Sequence, residues 1–166
     1  MGIKDSGATR EYETGAHRDA AAGKGRCDLI PMREAADFTG DPVLADMASF
    51  FEDPDEKHLF NAMRASLRTI KQYGNCMAGF LLEGSHQYEE GALKYGENNW
   101  KCGMPLKVYI DCALRHYLKT IRGDDDEPHW RAFAWNMLGA VWTLRNTENP
   151  LDRFVRIDKN ESTGGG

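Results

Sequence analysis

Five stretches between Asp41 and Arg145 carry apolar residues at every third or fourth position, most bounded by a start or stop signal. That period belongs to helices, and no stretch alternates as a half-buried strand does. Asp41-Pro42 opens the first, with Asp as N-cap and Pro at the first helical position. Val43, Leu44, Met47, Phe50 and Phe51 then share a face to about Glu52. Asp53-Pro54 repeats the start, and Leu59, Phe60, Met63, Leu67 and Ile70 point inward before Gly74 stops the run. A helix from about Cys76 to Tyr95 has a stripe of Met77, Phe80, Leu81, Tyr88, Ala92 and Tyr95, with Glu83, Gln87, Glu90 and Lys94 opposite. Gly84 and Gly91 each cost that helix about 1 kcal/mol relative to Ala, so they mark the close approach of another helix or of a ligand. Pro105 opens the next helix, whose apolar side is Tyr109, Ile110, Ala113, Leu114, Tyr117, Leu118 and Ile121, and Gly123 ends it. Asp124 to Pro128 then precede a last helix running to about Arg145.

With a short helix at Pro31–Phe38, this predicts an all-α chain of about six helices, a bundle of antiparallel hairpins. Residues 1–30 form an irregular arm with at most two turns of weak helix at Ala16–Ala22, 31–146 form the domain, and 147–166 a tail disordered at its end.

A formal charge of −5 speaks against long nucleic acid as a partner, though local cations can still hold a small anion. No apolar run reaches a membrane-spanning length, and the first residues lack the apolar core of a signal peptide. Cys27, Cys76, Cys102 and Cys112 have no metal-ligand spacing and read as free thiols of a reducing compartment. The expectation is a cytoplasmic protein.

Residues able to do chemistry crowd between Glu89 and Asn136. Asp124–Glu127 sits where a helix N-terminus favours negative charge. With His129 next to them, Asp126 and Glu127 also offer mixed ligands to a divalent ion. On the last helix His129, Ala132, Asn136, Ala140 and Thr143 form a narrow face between aromatic walls, either a ligand slot or a helix contact with one satisfied Asn. Asp111 and Arg115 are spaced to pair on the surface. His116 lies toward the apolar side, opposite Glu89 and Glu90 if its helix and the preceding one form a hairpin. Glu83, Glu90 and Glu97 recur every seven residues, as carboxylates that hold metals in bundles do, or as a solvated face does. In the arm, Lys24 and Arg26 alternate with glycines as a phosphate-approaching loop or a plain basic turn, without a Walker pattern.

Y-E-E-G-A-L-K-Y-G-E-N-N-W, then D-C-A-L-R-H-Y-L, then G-D-D-D-E-P-H-W-x4-W-N, resemble a phage and prophage family, the dATP/dGTP diphosphohydrolase N-terminal domain. The arm's T-R-E-Y-E-T-G-A-H-R-D and G-K-G-R-C-D-L-I-P resemble it too, so the likeness covers about residues 10–31 and 85–142, and 37–75 match nothing. The resemblance implies kinship with MazG-like all-α nucleoside triphosphate pyrophosphohydrolases, which hold Mg²⁺ or Mn²⁺ on helical carboxylates and release pyrophosphate. The chain departs from their E-x-x-D and E-E-x-x-E patterns: position 93, where a third acid belongs, is Leu.

The expected function is therefore a metal-dependent (d)NTP pyrophosphohydrolase of phage origin, acting on purine nucleotides in an infected bacterial host. Glu89, Glu90 and His116 are its expected catalytic groups, and Asp126, Glu127 and His129 its expected ligands for Mg²⁺ or Mn²⁺. Lys24, Arg26, Lys94 and Arg115 are expected to meet phosphates; Tyr95, Trp100, Asn99 and Asn136 to meet the base. The alternative is a non-catalytic protein that sequesters a nucleotide signal of host immunity. Wide apolar stripes lead to an expected homo-dimer or homo-tetramer.

Overall fold

The computed structural model describes residues 9–19 and 23–147; the expected disordered tail lies almost wholly outside them. Six α-helices follow a small hairpin: β1 (Thr9–Glu11), β2 (His17–Asp19), α1 (Met32–Thr39), α2 (Pro42–Glu52), α3 (Glu56–Thr69), α4 (Met77–Tyr95), α5 (Leu106–Arg122) and α6 (His129–Asn146). The all-α expectation holds, with one addition. The arm contains an antiparallel pair, Thr9 opposite Asp19, where a weak helix was expected from Ala16. Residues 20–22 of that expected helix lie outside the described part.

Local chemistry sets the helix ends. The Asp41 carboxylate accepts from the Val43 and Leu44 backbone N–H groups and starts α2. The second start falls at Asp55, which accepts from Lys57 N–H, and not at Asp53-Pro54, because Asp53 closes α2 instead. Gly123 ends α5 at φ 88°, a left-handed conformation that glycine adopts without a Cβ penalty. The acidic run does not cap α6: Pro128 occupies the N-cap position and no side chain bonds the first turn there. Of those carboxylates, Asp124 pairs with Arg122, and Asp126 and Glu127 turn to His129.

α6 is the central strut. It packs along α5 on one side and α4 on the other, while α2 and α3 pair and close one end. The α4–α5 hairpin expected from chain order does not form, because α6 fills the space between the two helices. α5 and α6 come unusually close at Gly139, where a Cβ would stand 2.3 Å from the Tyr109 ring.

The apolar stripe of α4 is also corrected. Phe80 and Gly84 are buried, but Met77 and Leu81 face outward, and the Glu83 side turns toward α6. There Glu83 accepts from the Trp130 indole N–H at 3.1 Å and from Arg131 at 2.7 Å, while Gly84 lies against the Ala134 methyl. Two donors on α6, with Glu90 also 3.8 Å from Arg131, outweigh the apolar pattern of α4 and choose its face. The tail of the stripe on α5, Ile121, is likewise exposed. The four cysteines are unpaired.

Candidate active site

The arm is fastened down by buried polar groups. Asp111 on α5 is 6% exposed and accepts from the Cys27 backbone N–H at 2.6 Å. Its partner Arg115, 2.8 Å away, donates to the carbonyls of Gly25 at 2.8 Å and Lys24 at 3.4 Å. The Asp111–Arg115 pair is therefore interior, where a surface pair was expected, because the arm's backbone covers it. Asn99 holds β2 with both ends of its amide, accepting from His17 N–H at 2.9 Å and donating to His17 C=O at 3.0 Å. Thr14 donates to the Gly103 carbonyl.

Between this arm, the second half of α4, α5 and the start of α6 lies a cavity of about 1050 Å³, at the upper end of the range for small-molecule sites. One wall is aromatic. Trp100 meets Tyr88 and Trp142 edge-on, with ring centroids 5.6 and 5.3 Å apart, and Lys101 lies over its ring. Tyr95 lines the opening, with the Lys94 ammonium 5.2 Å from its ring centre. Gly91 also lines the cavity, and a Cβ there would meet nothing, so the two helical glycines of α4 divide: one meets a helix, the other open space.

Arg18 of β2 reaches across the cavity. Its guanidinium stacks over Trp135 at 5.1 Å and donates to the Asn136 side-chain oxygen at 2.7 Å. Asn136 in turn donates to the Ala132 carbonyl at 2.6 Å. Asn136 is thus buried and bonded, yet it also serves the cavity through Arg18. The other Arg18 terminal nitrogen is buried with no protein partner, and so is the Gln87 carbonyl oxygen, which also lines the cavity. Buried polar atoms are rarely left this way, and two in one cavity point to groups a ligand would satisfy.

At the cavity's inner end α5 and α6 bring two imidazoles together. His116 Nδ1 is 3.0 Å from His129 Nδ1. Glu127 Oε1 lies 3.3 Å from the His129 nitrogen and 3.7 Å from that of His116. The far nitrogen of His129, Nε2, meets Asp126 Oδ1 at 2.8 Å, and Lys119 stands 3.5 Å from the other Asp126 oxygen. His129 is fully buried. Burial pushes the His116 imidazole down to about 3, so it is neutral at neutral pH. Burial alone would raise the Glu127 carboxyl, but the His129 hydrogen bond and the positive neighbours outweigh it and hold it down to about 2.

The expected site residues thus separate. His116, Asp126, Glu127 and His129 converge, with Asn136 two turns along α6. Glu89 stays at the rim beside His86, exposed. Glu90 turns away toward Arg131, 3.8 Å off, so His116 faces His129 and Glu127 where Glu89 and Glu90 were expected. Lys24 lines the cavity, and Arg26 does so while bound to Asp28 through Nε and one terminal nitrogen. The Arg115 donors are taken up by the arm and Asp111, and Asn99 by His17. Leu93, in the place of the third acid, is exposed outside the cavity. Sequence reading missed Arg18 and Lys119. Lys119 had a signal, since it follows His116 by one helical turn; Arg18 had none beyond the motif that holds it.

No helix among the described residues is long and apolar enough to cross a membrane. No curated protein and no solved structure matches the chain. The family described as dATP/dGTP diphosphohydrolase, N-terminal, does match, over residues 56–153. The match takes in α3 to α6, so it reaches further back than the motifs do, into a region where none was recognised. It spans more than half of the 166 residues, and the chain belongs to the dATP/dGTP diphosphohydrolase N-terminal family.

Proposed function

We propose that the chain hydrolyses a purine deoxynucleoside triphosphate to the monophosphate and pyrophosphate. The observation that carries this reading is one cavity lined both by His116 and Glu127, which lie against the buried His129, and by Arg18, whose guanidinium has an unpartnered donor. In this reading Arg18, Lys24 and Lys119 bind the triphosphate. Tyr95 and Trp100 face the base, and Gln87 offers its open carbonyl to a base or sugar donor. A water attacks the α-phosphorus, the bond to the bridging oxygen breaks, and pyrophosphate leaves with that oxygen. Asp126 or Glu127 accepts the water's proton. Arg115 and Asn99 act by holding the arm in place.

A divalent cation belongs to this reading, Mg²⁺ or Mn²⁺ on the family's precedent, held beside His129, whose Nδ1 faces Glu127 and whose Nε2 faces Asp126. Such an ion polarises a phosphoryl oxygen and makes water acidic enough to attack near neutral pH. The setting would be the cytoplasm of a phage-infected bacterium, where reshaping the nucleotide pool serves replication. A homo-dimer or homo-tetramer fits the exposed apolar side chains Met77, Leu81, Leu82 and Leu93 of α4. One observation favours the second reading, capture of a nucleotide without chemistry: Glu89 and Glu90 do not converge with the histidine cluster, and Leu93 replaces the third acid.

The test is incubation with a panel of NTPs, dNTPs and cyclic dinucleotides plus Mn²⁺, followed by chromatography. Pyrophosphate release from dATP or dGTP supports the enzyme. Retention of an unchanged nucleotide supports capture and overturns hydrolysis.

A further inference from the structure

We infer that His116, Glu127 and His129 are the three protein ligands of one borderline transition ion, of the Mn²⁺, Fe²⁺ or Zn²⁺ class, and that the site disfavours Mg²⁺. This deepens the hydrolase reading by naming the ion's class and exchanging Asp126 for His116 among its ligands.

The geometry comes first. Bonds of about 2.1 Å place neighbouring donors about 3.0 Å apart around an octahedral ion and about 3.4 Å around a tetrahedral one. The three donor atoms stand 3.0, 3.3 and 3.7 Å from one another, so one ion can reach all three. They come from separate places, α5, the α5–α6 connection and the first residue of α6, so helical periodicity alone does not bring them together.

The contact behind the cluster supports the same reading. His129 Nε2 lies 2.8 Å from Asp126 Oδ1, which leaves Nδ1 as the nitrogen that faces His116 and Glu127, at 3.0 and 3.3 Å. Asp126 occupies the position of the outer carboxylate that orients a metal-bound imidazole, and such groups fix the free nitrogen toward the ion.

The donor set gives the class. Mg²⁺ demands oxygen ligands and keeps most of its water, whereas imidazole suits the later first-row ions. Two histidines and a carboxylate on one side, with His116 and Glu127 lining the cavity, leave the other positions open to water or a phosphate oxygen. Among the described residues, Glu89 and Glu90 belong to no cluster that could hold an ion, so an all-carboxylate Mg²⁺ site of the MazG kind does not fit here.

The experiment strips the full chain with chelator and titrates it with Mn²⁺, Zn²⁺ and Mg²⁺ by calorimetry, without nucleotide. A single Mn²⁺ or Zn²⁺ site per chain is expected, with Mg²⁺ weaker by at least about 100-fold. His116→Asn, at a partly exposed position, is expected to lose that site while keeping its helical circular dichroism. Asp126→Asn is expected to weaken binding by about 10–100-fold. Substituted Co²⁺ should show visible bands of nitrogen ligation in the parent protein, a readout that needs no variant to fold. Equal affinity for Mg²⁺ and Mn²⁺, unchanged Mn²⁺ affinity in His116→Asn, or no divalent ion bound at all would each overturn the inference. Metal binding without turnover of any dNTP leaves this inference standing and removes the hydrolase reading, so the two fail separately.

Discussion

Two helix pairs, α2–α3 and α5–α6, have similar apolar patterns and differ in the polar groups they bury. The first buries Val43, Leu44, Met47, Phe50, Leu59, Ala62 and Met63, and its one buried polar side chain, Ser66, bonds back to the Met63 carbonyl of its own helix. The second buries Asp111, Arg115, His129, Asn136 and Thr143. Buried charge lowers stability unless it is paired, and replacing it by packed apolar groups is often neutral or stabilising. A fold that needed α5–α6 only as scaffold had a simpler solution available in α2–α3. The difference sets α5–α6 apart as the pair whose buried polar groups hold the arm and stand beside the cavity.

The comparison can be broken in four ways. Asp111→Ala should have the largest effect, since it strands Arg115 and the Cys27 N–H inside: a loss of about 3–5 kcal/mol in urea denaturation, together with protease cleavage in the arm. A loss under about 1 kcal/mol would mean that the arm is not held by this pair. Leu59→Ala in α3 should cost about 2–5 kcal/mol through the cavity it leaves, yet leave nucleotide affinity unchanged in the folded protein. A parallel drop in affinity would tie the apolar pair to the site and erase the contrast.

Arg18→Ala sharpens the other side. It should weaken dNTP binding by at least about tenfold, or about 1.4 kcal/mol. Wild-type affinity would take Arg18 out of the phosphate site. The smallest effect is expected at Glu83→Gln. Burial would raise the Glu83 carboxyl, but hydrogen bonds from Arg131 and Trp130 outweigh it and hold it below its usual value of 4.5. A depressed carboxyl adds stability above its unfolded value and loses it as the pH falls through the folded one. The melting temperature of Glu83→Gln should therefore fall less steeply than that of the parent below about pH 4.5. Identical acid limbs would contradict the role given to this contact.

The helices were legible because their ends are written locally. Asp41, Gly96 and Gly123 act within a turn of their own positions, whereas α3 stops at Thr69, short of the expected end at Gly74, which closes only the turn Lys71–Tyr73. Which helices touch was not legible. The chain places α4 before α5, but Gly84 and Gly139 let α6 approach both, and that depends on pairs far apart in sequence. The cluster was half legible for the same reason. Asp126, Glu127 and His129 are neighbours in the chain, whereas His116 joins them only through the turn between α5 and α6. The arm was the least legible part: its strands are three residues long, and Arg18 and Thr14 act on α6 and on Gly103 across the fold.

The central claim is that phosphoanhydride cleavage happens at the histidine cluster between α5 and α6. The most direct measurement is pyrophosphate release from dATP and dGTP, with Mn²⁺ present, by the parent chain and by Glu127→Gln. The substitution keeps the size of the side chain and removes its charge. The account predicts turnover by the parent and a loss of at least about 100-fold in the variant with circular dichroism unchanged. Equal turnover by the two proteins would contradict it.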